Sequence, residues 1–268
     1  MSGKREAQEA PGAVLCERDE GLVTLTLNNP QRLNAMTWDM WTQFTAHWQS
    51  INEDDTVRCV IVRGAGERAF CPGNDISEFE RFRSNAAEAR RLSEHMGRGR
   101  YAMLACPHPV IAQIRGACVG GGLEIAAMCD LRICAEDARF GAPLNRIGLT
   151  MAYEEMLPIR RIADRATLFE FLVEGMLIDA VDAKQRGLVN RVVSTAALDN
   201  AVAESAARIL AGPPLVNRWH KRFLERLENL PALSPSDLEE HYLAFETEDY
   251  RTGYRAFLDK TEPRFVGR

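Results

Sequence analysis

The sequence predicts an α/β body over residues 13–197 followed by an all-helical part over residues 198–268. Three observations carry that expectation. Short apolar runs bounded by turn formers recur along the first part, as strands do. Stretches with apolar residues at helical spacing fall between them. Beyond Leu198 only the helical period remains. No low-complexity linker divides the two parts, so the helical part is expected to pack on the body or on a neighbouring subunit.

The elements follow in order. "MSGKREAQEAPGA" mixes charges of both signs without an apolar core and reads as a frayed tail, not a signal peptide. "GLVTLTLNN" alternates from Leu22 to Asn28, the pattern of a half-buried strand. "NPQRLNAM" is a loop in which Asn34 suits the N-cap of a helix from Met36 to Ile51. "VRCVIVRGAG" is a short strand ending in glycines. "ERAFCPGNDISEF" reads as a loop leading into a charged helical region, 81–104. "HPVIAQIRGACVGGG" is a strand that runs into glycines and a helix, and "DLRICAED" and "GLVNRVV" (187–193) are further strands. "LDNAVAESAARILA" is amphipathic; Pro213 and Pro214 interrupt it, and helical patterning resumes over 215–230 and 236–258.

Composition excludes several classes. The 268 residues are 46% hydrophobic and 26% charged with a net charge of −5, and no basic stripe with interleaved aromatics marks a nucleic-acid binder. The seven cysteines (16, 59, 71, 106, 118, 129, 134) are odd in number and form no C-x-x-C pair, which reads as free thiols in a reducing, cytoplasmic setting. The five histidines are scattered, so no metal site is expected. No apolar run approaches the ~20 residues that span a bilayer, so no membrane association is expected.

The chemistry concentrates in two loops. "GACVGGGLEIAAMCD", Gly116 to Asp130, sets one carboxylate, Glu124, in apolar company behind three glycines. N–H groups at a helix start have no intrahelical partner and carry partial positive charge. Glycine lets a substrate approach that backbone closely. "VGGGLE" thus suits an N–H donor to an oxygen that gains charge, with Glu124 one turn away to move a proton. Read alone, the glycine triplet is better explained by tight helix–strand packing that needs small residues. A dinucleotide phosphate loop is a third option, although G-x-G-x-x-G is absent. The second loop, "AFCPGND" at 69–75, offers turn residues whose N–H groups can point inward. Two such donors converging on one oxygen make an oxyanion hole; by itself this loop is ordinary turn chemistry.

Together these stretches resemble the crotonase, or enoyl-CoA hydratase/isomerase, superfamily. The matching pieces are "LNNPQRLNAM", "VIVRGAGERAFCPGNDISEF", "HPVIAQIRGACVGGGLEIAAMCDLRICAEDARFGAP", "VEGMLIDAVDAKQRGLVNRVV" and "GYRAFLDKTEPRF", in the family's order. The resemblance implies a crotonase-like spiral of strand–strand–helix turns with a C-terminal helical trimerisation region, and so a homotrimer or a dimer of trimers. It implies an acyl-CoA thioester as substrate, no further cofactor, a place in fatty acid metabolism, and an oxyanion hole for a thioester enolate. Matched residue by residue, the hole falls on the backbone N–H groups of Asn74 and Gly121. Arg32, Leu33 and Ala35 match the CoA path, with the turn of Pro72, Gly73, Asp75 and Ile76. Phe257 and Lys260 match C-terminal residues that approach the CoA nucleotide, often from a neighbouring subunit. On their own, Phe257 reads as helix packing and Lys260 as a solvated charge.

One position departs from the family. Its hydratases hold a water between two glutamates. The first matches Glu124; the second, after "FGAP", is Leu144 here. Leucine neither holds a water nor transfers a proton. The expectation is enolate chemistry with Glu124 as the one clear acid–base group, its pKa raised by apolar surroundings. Isomerisation, dehydration, decarboxylation and carbon–carbon bond chemistry then stand beside hydration. Glu154 and Glu155, in "MAYEEM", read as a solvated helix face rather than a replacement acid. Arg146 reads either as a partner for a substrate carboxylate or as half of a surface pair. From other classes come a non-catalytic CoA-binding subunit, which the missing acid favours, and a dinucleotide-binding oxidoreductase, which only "GGG" favours.

Overall fold

The computed structural model describes residues 12–212, 214–227, 245, 246 and 248–261. Its organising feature is that from β3 to β8 successive strands go alternately to two sheets. The larger sheet contains β1 (Ala13–Asp19), β2 (Leu22–Asn28), β3 (Cys59–Gly64), β5 (Val110–Ile114), β7 (Leu131–Ala135) and β10 (Arg191–Val193), side by side in that order. The smaller contains β4 (Ala69–Cys71), β6 (Ala117–Val119), β8 (Arg139–Gly141) and β9 (Leu177–Asp179). Apart from the antiparallel pairs β1–β2 and β8–β9, every pairing is parallel. The pairs β3–β4, β5–β6 and β7–β8 therefore each lay one strand in each sheet before the chain turns into helix.

The helices between strands are α1 (Trp38–Asn52), α2 (Phe79–Phe82), α3 (Ala86–Leu104), α4 (Gly121–Ala127), α5 (Tyr153–Ile162), α6 (Arg165–Phe169) and α7 (Ala180–Gln185). Among the described residues three more follow the sheets: α8 (Leu198–Ala211), α9 (Pro214–Leu227) and α10 (Glu248–Asp259).

Burial explains what the sequence displayed. In β3, Cys59 and Ile61 pack against Leu198 and Val202 of α8, while Val60 and Val62 enter the main core with Trp41, Phe44 and Trp48 of α1. A strand covered on both faces needs an uninterrupted apolar run, which is the "CVIV" of the sequence. The β2 strand has the expected bounds, but Thr26 and both its neighbours are buried, because β1 and β3 flank it.

Several expectations need correction. β1 had no signal: only Val14 is buried, since the strand lies at the sheet edge. The stretch read as one loop contains β4, and the single strand read over 108–119 is two, β5 and β6. Three-residue strands are too short to show a period of two. Asn34 does not cap α1. Thr37 does, its Oγ1 accepting from the Met40 N–H at 3.2 Å. Asn34 sits at φ +67 instead, and its amide donates to the Ala65 and Ala69 carbonyls at 3.0 and 2.8 Å. It ties the loop after β2 to the start of β4. The charged helical region is α2 and α3, divided at Asn85, whose side chain caps α3. Of the helical segments expected at the C-terminus, α9 and α10 account for 214–227 and 248–259; Pro213 and residues 228–244 lie outside the described residues.

The two sheets fix the glycine-rich turn. β4 and β6 pair in parallel, Ala69 opposite Ala117 and Cys71 opposite Cys118, so their C-terminal ends emerge side by side. α4 leaves β6 so close to β4 that a Cβ on Gly122 would lie 1.9 Å from the Cys71 carbonyl oxygen. We expect Gly122→Ala to cost about 3 kcal/mol, the upper part of the range for overpacking, seen as a melting temperature lowered by several degrees.

Candidate active site

The residues that line one cavity come from both strand ends and from later segments. Pro72, Gly73 and Asn74 follow β4, and Gly120 and Gly121 follow β6. Gly73 adopts φ +107 and Gly120 φ +54, conformations that L side chains rarely take. Met36 donates its N–H to the Gly73 carbonyl at 2.8 Å and accepts from the Asp75 N–H at 2.9 Å. In such a bridge the intervening residue turns its own N–H the other way. Gly121 is the first residue of α4, so its N–H has no intrahelical acceptor. A Cβ built on Gly121 would stand 4.0 Å from the Asn74 nitrogen. The structure thus brings the Asn74 and Gly121 backbones together at one cavity. The Asn74 side chain faces the core, its Oδ1 accepting from Trp41 Nε1 at 2.8 Å.

Glu124, one turn into α4, lines the same cavity and is 1% exposed. Its Oε1 makes no hydrogen bond. Burial pushes its pKa up to about 8; Arg100 opposes that rise and Glu155 adds to it. Leu144 also lines the cavity, in a turn (Leu144–Ile147) closed by Gly148 in the left-handed region. The position matched to a second acid therefore presents an apolar side chain to the site.

Two residues that sequence reasoning passed over complete the site. Arg100 of α3 is 2% exposed and faces three carboxylates. Its Nε stands 3.4 Å from Glu124 Oε1, its Nη2 3.0 Å from Glu154 Oε2 and its Nη1 3.7 Å from Glu155 Oε1. Burial works against its charge, and the three carboxylates outweigh burial, so its pKa is raised. Arg83, just beyond α2, is also buried and lines the cavity. A signal for Arg100 existed: α3 buries Leu92, Met96, Arg100 and Met103, so the arginine sits on the apolar stripe at helical spacing. For Arg83 the helix is too short to show a stripe.

Glu155 corrects the reading of "MAYEEM" as a solvated face. It is 6% exposed and lines the cavity. One oxygen accepts from the Ala152 N–H at 2.9 Å, tying down the start of α5. Glu154 is the more exposed of the two and accepts from Tyr101 Oη at 3.1 Å. Arg146 donates to the Gly175 carbonyl at 2.6 Å and forms no surface ion pair among the described residues.

The other matched residues frame the site without lining the cavity, except Ile76, which does line it. Arg32 is half-exposed and pairs with Asp75 at 3.2 Å, also reaching Ser77 Oγ at 2.5 Å. Asp75 caps the turn that carries Ile76. Leu33 sits at φ +56, and the Ala35 carbonyl accepts from the Asn29 amide. Phe257 and Lys260 are exposed on and just after α10. That helix braces the cavity from behind: a Cβ on Gly253 would lie 2.0 Å from the Ile147 carbonyl carbon.

All seven cysteines are free thiols, and six are buried. Cys71, beside the Gly73 turn, has its thiol pushed by burial to about 12, which makes it no nucleophile at neutral pH. Among the described residues no group of three histidine, cysteine or acidic side chains could hold a metal ion. No helix there is long and apolar enough to cross a membrane.

Two sheets fed alternately by one chain, with two strand-end turns and a buried carboxylate at one cavity, define an α/β enzyme class of the crotonase type. Residues 17–268 match the model of the enoyl-CoA hydratase/isomerase family, and the chain belongs to that family. It is 30% identical to crotonyl-CoA hydratase of Syntrophomonas wolfei, over 95% of this chain and 98% of that one. It is also 30% identical to 1,2-epoxyphenylacetyl-CoA isomerase of Escherichia coli, with the same shares covered. A crystal structure of an enoyl-CoA hydratase/carnithine racemase from Magnetospirillum magneticum superposes with a TM-score of 0.80 at 43% identity, covering 97% of each chain.

The raised pKa of Glu124 has a consequence for stability. Unfolded, the carboxyl loses its proton near 4.5; folded, it keeps it up to about 8. The folded state binds more protons in that window, so stability falls as pH rises through it. The melting temperature of the wild type should therefore drop relative to Glu124→Gln between pH 4.5 and 8, and the gap should level off above. In Arg100→Met the upper end of that window should move to higher pH. That variant should also lose about 3–5 kcal/mol, because it leaves buried carboxylates without their cation.

Proposed function

We propose that this chain acts on an acyl-CoA thioester through an enolate, with Glu124 as the acid–base group. The observation that carries this reading is the buried Glu124 carboxyl at the cavity where the Asn74 and Gly121 backbones meet. Seated there, the thioester carbonyl oxygen accepts from both N–H groups. Glu124 takes a proton from carbon, and the electron pair left behind moves onto that oxygen. The two donors stabilise the charge; removal of one such donor typically costs ~10²–10³ in rate. Glu124, now a carboxylic acid, returns its proton to another carbon of the same acyl chain, and the double bond moves. Every atom is accounted for by substrate and one carboxyl group, so the reaction needs no cofactor besides its CoA substrate. The apolar Leu144 favours this one-carboxylate route over water addition between two glutamates.

A second reading is supported by Glu155. It lines the same cavity and shares Arg100 with Glu124. In that reading Glu155 is the second proton-handling group, and hydration becomes feasible without an acid at 144. Assembly into a trimer belongs to either reading; large apolar side chains left exposed, among them Phe169, Val173, Val181 and Phe223, support it.

Glu124→Gln should lower kcat about 10²–10⁴-fold, the usual contribution of general acid–base catalysis, on a panel of 2-enoyl- and 3-enoyl-CoA esters. Undiminished turnover would sink the assignment. Because the base form of Glu124 is the carboxylate, kcat/KM of the wild type should rise with pH through about 8. Leu144→Glu should raise hydration of crotonyl-CoA. Rapid hydration by the wild type that Glu155→Gln abolishes would select the second reading.

A further inference from the structure

Arg83 is a buried cation that forms no ion pair with an acid among the described residues. It is 5% exposed and lines the cavity that holds Glu124. Its guanidinium lies 5.0 Å from the Phe79 ring centre and 5.7 Å from that of Phe245. Among the described residues the one hydrogen bond of its side chain is Nη2 to Met96 Sδ at 3.8 Å, a weak acceptor, and the buried Nε has no partner. Its backbone is held from both sides: its N–H donates to the Phe79 carbonyl at 2.8 Å, and its carbonyl accepts from Tyr250 Oη at 2.6 Å. No ion pair joins Arg83 to a carboxylate among the described residues. A charge taken from water needs a counter-charge or a full set of hydrogen bonds. Arg100 holds the glutamates at 3.0 to 3.7 Å, whereas Arg83 stands beyond ion-pair distance and acts on Glu124 only as a weaker, more distant charge.

The rest of the wall around Arg83 is suited to a short hydrocarbon chain: Ile76, Phe79, Leu144, Ile147 and Met151 face the same space. An acyl chain that fills this space with an apolar end drives water from the guanidinium and gives it nothing in return. A chain ending in a carboxylate gives it a planar acceptor with two oxygens, the partner a guanidinium fork matches best.

We infer that Arg83 binds a carboxylate carried by the acyl group, so that the substrate class is the CoA monothioester of a dicarboxylic acid. The inference rests on the acyl-CoA reading above for the CoA part. It adds the group at the far end of the acyl chain.

The test compares saturated thioesters, whose binding requires no chemistry from Glu124. Succinyl-CoA is paired with butyryl-CoA, and glutaryl-CoA with valeryl-CoA, the two members of each pair having equal carbon number. Calorimetric dissociation constants of the wild type should favour the dicarboxylic ester about tenfold or more in at least one pair. Loss of a partner from a buried charge pair commonly costs about 10²-fold, so Arg83→Met should bring that ratio close to one. Arg83→Lys should retain part of it. A ratio of one in the wild type overturns the inference without any variant. A ratio that survives Arg83→Met overturns it too, and leaves Arg83 a structural role. If the preference holds while Glu124→Gln turns over undiminished, the enolate reading fails and the carboxylate site stands. If no CoA ester binds, both fall.

Discussion

The site depends on one constraint, the contact of backbone with backbone where β4 and β6 end. Parallel pairing in the smaller sheet sets the Pro72–Asn74 turn beside the Gly120–Gly121 turn. No side chain fits between them. Gly122 meets the Cys71 carbonyl, Gly121 meets Gly73, and Gly73 and Gly120 adopt conformations that favour glycine. The Asn74 and Gly121 backbones then meet at one cavity, and the Gly121 N–H has no acceptor within its own helix. The glycines keep the helix start, with its partial positive charge, close to that cavity.

Around that backbone the protein has placed an unequal set of charges. Three carboxylates surround Arg100, and two of them, Glu124 and Glu155, are buried with it. One cation cannot neutralise three anions in a medium of low polarity. The least costly adjustment is for one carboxyl group to keep its proton, and Glu124 is the one buried most completely. Arg100 prevents the proton from being held too tightly. Glu155 is fastened at the start of α5, so the same ion pairs that tune Glu124 also lock α3 and α5 around α4. Arg83 is a second buried cation at the opposite extreme, with aromatic rings in place of carboxylates.

Much of the fold was legible because burial leaves marks in a sequence. β3, β5 and β7 showed as apolar runs, β2 as an alternation, α1 and α8 as helical periods, and α3 as part of a charged helical region. The three-residue strands of the smaller sheet left no such mark, and β1 is too exposed to leave one. Asn34 looked like a cap because its residue type suits one; the loop uses its amide to tie two carbonyls instead, and Thr37 caps the helix. Glu155 looked solvated because adjacent glutamates usually are. Only the packing of α5 on α4 buries it.

The sequence alone determined the family, the two glycine turns, Glu124 and the leucine at 144, because each of these is a matter of residue type at a position. It could not say what surrounds Glu124. Arg100 lies 24 positions before it in the chain, and Glu155 lies 31 after. Their ion pairs exist only because the spiral stacks α3, α4 and α5 together. The same holds for Arg83, whose want of an acidic partner among the described residues is a property of its surroundings rather than of its residue type. A side chain's identity is written locally, but its electrostatic environment is a sum over neighbours distant in the chain, and tertiary structure alone assembles that sum.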